Sequence, residues 1–262
     1  PFCLFRDDNA NHRLKARFQR HPVMHAHIVF AHPEPASFNG ALADTAEQTL
    51  ADQGHRVTRS DLYGEGFDPV EGPAHYDSRA DADYFSALTE QRHAGNERTR
   101  APDVQREIDR LMAAEMVILQ FPLWWHAQPA ILKGWFDRVF VYGELYTGRM
   151  RYDEGVFNGR RALLSVTTGG PATTFLPYGR GGPIERLLWP IHYSLHYMGF
   201  DVLPPFVAHG IQGGGIAYEQ RDVFEQHLDS LKRGWAERLN TLDSARPIPF
   251  TGWQDWDANG VL

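Results

Sequence analysis

From residue 25 to residue 241 two kinds of segment alternate without a break, and this alternation limits the fold more than any other feature. Strand-like runs fall at 25–30, 56–61, 116–121, 161–167 and 201–207, while segments with helical spacing fall at 38–53, 102–114, 129–140, 184–198 and 219–241. Strict alternation of this kind predicts an α/β fold: a doubly wound, five-stranded parallel sheet with crossover helices on both faces. The run 116–121 is too apolar to face water and marks the centre of that sheet. Two stretches exceed the minimum, a polar insertion at 64–100 and a tail at 242–262 rich in Pro and Trp. Residues 1–23 lack periodicity and read as an N-terminal extension or arm, leaving 24–241 as the principal domain.

Charge narrows the range of partners. With 26 Lys and Arg against 33 Asp and Glu, the net charge of −7 offers no basic footprint for nucleic acid. No apolar run reaches the ~18 residues of a spanning helix. The single cysteine, Cys3, excludes an intramolecular disulfide and suits a reducing compartment. The expectation is a soluble, cytoplasmic protein with no nucleic-acid partner and no membrane insertion.

Open α/β sheets bind ligands outside the carboxyl ends of their strands, which directs attention to three loops. After the first strand, AHPEPASFNG lacks the G-x-G-x-x-G of a dinucleotide fold but brings His32, Ser37 and Asn39 to a helix start, whose amides and dipole attract phosphate. A plain helix cap by Ser37 or Asn39 explains the same residues equally well. After the central strand, QFPLWWHAQP sets Trp124, Trp125 and His126 between Pro122 and Pro129, an arrangement suited to stacking on a flat heteroaromatic ring, or else to ordinary core packing. After the fourth strand, Thr167, Thr168, Gly169 and Gly170 place glycines where backbone amides can approach a ligand closely.

Other patterns carry less. His192 and His196 stand four apart on a helix, yet the Glu of H-E-x-x-H is missing and no metal site is expected. G-x-S-x-G does not occur, and Ser165 falls inside a buried strand, which disfavours a hydrolase. The cluster Gly213, Gly214 and Gly215 suits a mobile loop or a plain connector.

The stretches FPLWWHAQPAILKGWFDRVF, LLSVTTGG and LLWPIHYSLHYMGFDVLPPF resemble the NAD(P)H:quinone oxidoreductases of flavodoxin-like fold, which include the mammalian quinone reductases and bacterial relatives. The likeness implies a flavoenzyme working by ping-pong, two-electron hydride transfer. It assigns His32, Ser37, Phe38 and Asn39 to the flavin phosphates, and Pro122, Leu123, Trp124, Trp125 and His126 to the border of the flavin ring. Thr167, Thr168, Gly169 and Gly170 would supply backbone donors to the pyrimidine side, where reduction leaves negative charge. Tyr146 matches a tyrosine that reaches over the partner subunit's pocket, so a homodimer is implied, with the tail on the partner. The wall for NAD(P)H and quinone is expected from Trp125, His126, Tyr146 and Phe175.

Two positions depart from the family. Mammalian members carry a tyrosine and a histidine after TTGG, where this chain has Phe175 and Gly181, neither able to carry a proton; Tyr178 or Arg180 would have to substitute. Gly148 replaces a second tyrosine and widens the pocket. The insertion and tail favour FAD, with FMN as the alternative. Two other roles fit the same resemblance: a flavoprotein ancillary subunit of a potassium efflux system, and a flavodoxin-like electron carrier, for which an acidic net charge is suited.

Overall fold

The computed structural model describes residues 23–211 and 219–262. The N-terminal stretch up to Pro22 and the cluster Gly213, Gly214 and Gly215 lie outside the described residues. Strands β1 (His25–Phe30), β2 (Arg56–Asp61), β3 (Met116–Pro122), β4 (Arg161–Thr167), β5 (Asp201–Val202) and β6 (Phe206–Ala208) form one sheet. All pairings are parallel, in the order β2-β1-β3-β4-β5, with β6 also paired to β4. Every residue of β3, Gln120 included, is buried between β1 and β4, as its largely apolar sequence predicts. The fifth strand, expected as one piece over 201–207, is two. Pro204 and Pro205 offer no N–H to the ladder, so pairing with β4 stops after Leu203 N donates to Ala162 O (2.8 Å) and resumes at Phe206 opposite Ser165.

The helices are α1 (Phe38–Asp52), α2 (Ala87–Glu97), α3 (Pro102–Ala113), α4 (Ala130–Val139), α5 (Ile184–Tyr197) and α6 (Arg221–Asn240). Side chains alternate across each strand, so Ile28, Ile118 and Leu163 meet α1 and α6 on one face, while Val117, Leu119 and Leu164 meet α3, α4 and α5 on the other. Each fully buried Leu or Ile of these layers contributes about 1.5–3 kcal/mol. Trp235 of α6 is buried and donates from Nε1 to Leu42 O (3.0 Å), fastening the two helices of the first face together.

The insertion holds a helix that the apolar pattern did not announce. In α2 the buried positions are Glu90, Gln91 and Ala94, so its inward face is mainly polar. Glu90 meets Arg79 Nε (3.0 Å) and accepts from Ala80 N (2.8 Å), and Gln91 Nε2 donates to Asp137 O (3.1 Å). The tail, expected to reach a partner subunit, also packs on its own chain. Ile248 N donates to Val202 O (2.8 Å), Phe250 stacks on His196 (4.5 Å), and Trp253 and Trp256 close around Tyr152. No described helix is long and apolar enough to cross a membrane.

A polar chain runs under α3. His27, fully buried in β1, meets Thr58 Oγ1 through Nδ1 (2.9 Å) and Ser60 Oγ through Nε2 (3.0 Å). Ser60 donates its one hydrogen to Glu107 (2.8 Å), so it accepts from His27, which is held as the Nε2–H tautomer. Glu107 also receives Trp135 Nε1 (2.9 Å) and Arg110 (2.7 Å). Burial, aided by the Arg110 charge, pushes the His27 pKa down to about 3, and burial pushes that of His192 to about 4. In the unfolded chain both titrate near 6.5, so between pH 6.5 and these lowered values the unfolded state binds more protons and stability falls with acidification. Urea denaturation at pH 7 and pH 5 is expected to show a loss of about 2 kcal/mol for each histidine. His192→Leu, which removes a buried nitrogen that has no hydrogen-bond partner, should recover its share of that loss. An unchanged pH dependence would contradict the assignment.

Candidate active site

At the carboxyl end of the sheet, one hydrogen-bonded chain ties the three loops together. Gln120 of β3 donates from Nε2 to Asn39 Oδ1 (2.9 Å), and Asn39 Nδ2 donates to Thr167 Oγ1 of β4 (2.9 Å), with all three residues buried. The side chain of Asn39, expected at a ligand's phosphates, is thus engaged inside the protein, as is that of Thr167. Ser37 caps α1, its Oγ accepting from Gly40 N (3.3 Å). Gly40 is required here, since a Cβ would lie 1.9 Å from Pro35 O, where the loop presses on the helix. The first turn of α1 holds no acidic residue, which leaves its positive dipole end uncompensated from within. His32 Nδ1 is bonded to the Glu34 backbone (3.0 Å), and its ring lies 5.8 Å from that of Trp124.

Beyond β3 the chain turns back on itself. Trp124 and Ala127 exchange backbone hydrogen bonds, each 3.0 Å, around Trp125 (φ 50°) and His126 (φ 62°). Positive φ at both central residues defines a tight turn that is normally built from Asn and Gly, and a bulky residue there costs about 1–3 kcal/mol. Trp125 is nevertheless 95% exposed and Trp124 42% exposed, so no burial offsets the strain. The turn holds two aromatic side chains out at the mouth of the sheet.

Register sets the third loop beside this turn. Pro122 pairs with Thr167, and Leu123 N donates to Thr167 O (2.8 Å). Thr168 N was expected as a free donor, but it donates to Ala208 O (2.9 Å) as the sheet continues onto β6. The amides of Gly169 and Gly170 donate to no described residue. Among the described residues a Cβ at Gly169 would meet only Ile211 O, at 3.7 Å, and Gly169 does not have positive φ, so nothing described there requires a glycine. Phe175 packs against this loop, and a Cβ at Gly181 would lie 3.1 Å from its ring. Tyr178 stands fully exposed, with no hydrogen bond or ring contact to the other site residues.

The structure adds one residue that the sequence reading passed over. His209, directly after β6, stacks on Phe175 (5.3 Å, 29°) and meets Thr168 Oγ1 through Nδ1 (2.9 Å). A histidine closing the last strand was visible in the sequence, on the carboxyl-end rule already applied to the other loops.

Tyr146 lies elsewhere, in a groove of about 580 Å³ that also reaches Gln128, Phe140, Tyr193 and Tyr197. Its ring meets Tyr142 (5.4 Å) and Tyr197 (5.6 Å), and burial raises its phenol pKa. His192 Nε2 is buried without a partner and His196 Nε2 meets Thr251 O (3.0 Å); no cluster of three metal-ligating side chains occurs among the described residues.

Residues 24–233 match the family described as having a flavodoxin-like fold. The chain is 38% identical over 226 residues to the ribosyldihydronicotinamide dehydrogenase (quinone) of Homo sapiens, a match covering 86% of this chain and 94% of that protein. It is 37% identical over 239 residues to NAD(P)H dehydrogenase (quinone) 1 of Rattus norvegicus, covering 90% and 84%. A crystal structure from Klebsiella pneumoniae, provisionally described as a quinone reductase, superposes with a TM-score of 0.79 at 36% identity, covering 87% and 88%.

If the turn at Trp125 and His126 stores strain, relieving it stabilises the fold. His126→Gly is expected to raise the unfolding free energy by about 1 kcal/mol, and replacing the pair by Asn-Gly by up to about 2 kcal/mol. Denaturant titration checks this, and a loss of stability in His126→Gly would show that the turn is unstrained.

Proposed function

This chain belongs to the flavodoxin-like NAD(P)H:quinone oxidoreductases, and from that premise we propose that it is a flavoenzyme in which a dihydronicotinamide and a quinone use one site in turn. The observation that carries this reading is the open space over Gly169 beside two amides without partners among the described residues. A bound flavin supplies a centre that accepts hydride from the nicotinamide and delivers it to the quinone. Gly169 and Gly170 would hold its polar edge, their N–H groups stabilising the negative charge that reduction brings. The first-turn amides of α1, with His32, Ser37 and Phe38, would take its phosphate end. Pro122, Leu123 and Trp124 would border the ring, with Asn39 and Thr167 fixing the loops behind it.

Trp125, His126 and Phe175 supply the wall on which a flat substrate stacks. Their contribution is orientation, since a rigid aromatic surface holds either substrate at transfer distance without contributing a reacting group. One site that serves two substrates alternately requires ping-pong kinetics. The insertion at 64–100 favours FAD over FMN; the tail, engaged on its own chain, no longer adds to that choice. Because the human relative is named for ribosyldihydronicotinamide, the donors to compare are that compound, NADH and NADPH. The lone cysteine of the chain suits a cytoplasmic site of action.

We read the protein as a homodimer. Trp135 is fully buried in its own subunit and offers no surface to a partner. The support comes instead from the aromatic groove at Phe140, Tyr146, Tyr193 and Tyr197, which a second copy would cover while bringing Tyr146 towards the partner's site.

The purified protein is expected to be yellow, and heat release followed by chromatography identifies the flavin. Gly169→Leu should lose the visible spectrum while keeping its far-ultraviolet circular dichroism, because among the described residues a Cβ there comes no closer than 3.7 Å, to Ile211 O; full occupancy in that variant would overturn the site. Light scattering is expected to give twice the chain mass of 29.8 kDa. A fully active particle of single-chain mass at micromolar concentration would refute the dimer.

A further inference from the structure

Quinone reduction by a dihydronicotinamide takes up a proton: NAD(P)H, H⁺ and a quinone become NAD(P)⁺ and a hydroquinone. Among the described residues at the carboxyl end of the sheet stand three histidines, the residue type suited to carrying a proton: His32, His126 and His209. His126 is exposed at the tip of its turn and hydrogen-bonds to no described residue, and His32 is bonded to the Glu34 backbone. His209, half-buried like His32, differs from both in having a ring nitrogen bonded to a side chain of the third loop and a ring stacked on Phe175.

The fixing determines its tautomer. Thr168 Oγ1 donates its one hydrogen to Gly170 O (2.9 Å), a carbonyl that can only accept. The same oxygen lies 2.9 Å from His209 Nδ1, and with its hydrogen on Gly170 O it accepts from that nitrogen, an arrangement that puts the hydrogen on Nδ1 and leaves the lone pair on Nε2. Nε2 has no partner among the described residues. Phe175 covers the ring, and burial lowers the pKa, which keeps the imidazole neutral at pH 7 in the resting protein. The same Thr168 hydroxyl touches Gly170, whose amide is one of the two donors left open, so His209 and those donors share one rigid unit.

Resting on the flavoenzyme reading above, we propose that His209 is the proton-accepting group of this site. Its Nε2 takes a proton from solvent when negative charge arrives at the Gly169–Gly170 loop and releases it as the quinone leaves reduced. The electron pair moves with the hydride from nicotinamide to quinone, and the proton held on Nε2 completes the hydroquinone. Among the described residues, the groups packed around His209 are Thr168 at the end of β4, Phe175 of the turn at 172–175, and His227 of α6, whose Nε2 donates to His209 O (2.8 Å). His227 is the titratable one of these, and it touches the backbone of His209 rather than the ring.

Nuclear magnetic resonance of the whole protein tests this directly. In the oxidised, flavin-loaded form, His209 is expected to titrate below 6.5 and its nitrogen shifts to report the Nδ1–H tautomer. On reduction by dithionite its titration midpoint should rise by at least one unit. His209→Phe, which keeps a ring against Phe175, assigns the signal. It should also flatten the pH dependence of the midpoint potential by one proton per two electrons, about 30 mV per pH unit. In His227→Gln the redox-linked shift of His209 should persist. An Nε2–H tautomer, or the same midpoint in both redox states, overturns the proposal and leaves the flavoenzyme reading standing. A preparation without flavin absorbance overturns both.

Discussion

The relation between the three loops depends on the buried bridge from Gln120 through Asn39 to Thr167. These residues come from β3, α1 and β4, and each loop begins within a few residues of one of them. In a low-dielectric interior a donor or acceptor left without its partner costs about 1–3 kcal/mol, so a shift of any one element is opposed by the other two. Gln120 Oε1 remains unsatisfied and buried, which shows how far this junction favours position over complete pairing. A ligand held by amides and aromatic faces depends on such rigidity, because none of those contacts can follow a drifting loop.

Around that bridge the chain accepts local costs. Trp125 and His126 occupy left-handed backbone in a turn that would be more stable with Asn and Gly, and their side chains receive no compensating burial. Conflict between local preference and the observed conformation collects where a protein binds or reacts. Gly169 makes the same point in reverse, as a residue kept small where its own chain would tolerate a side chain. The arrangement suits stacking a flat molecule between an aromatic turn and a backbone edge, which is what two-electron transfer between planar substrates requires.

Aromatic residues elsewhere divide by what covers them. Tyr152, Tyr193 and His196 are closed by the tail through Phe250, Trp253 and Trp256, so that cluster is complete within one chain. Tyr146 and Tyr197 line a groove still open along one side. The tail and this groove therefore occupy separate surfaces.

Much of the fold was legible before any coordinates. The alternation of periods determined the doubly wound class, the apolar run at 116–121 its centre, and the carboxyl-end rule the three loops; the strings around Trp124 and Thr167 pointed to the enzyme family. The helix α2 was not legible, because its buried positions include Glu90 and Gln91 and no apolar stripe exists to be read. Nor was the inward turn of Asn39, the closure of the tail on its own chain, or the tautomer of His209. A period in sequence is a local property, set by how a strand or helix presents successive side chains. Which polar atom finds which partner is decided by elements far apart in the chain, such as Asn39 and Thr167, and only packing brings them to 2.9 Å.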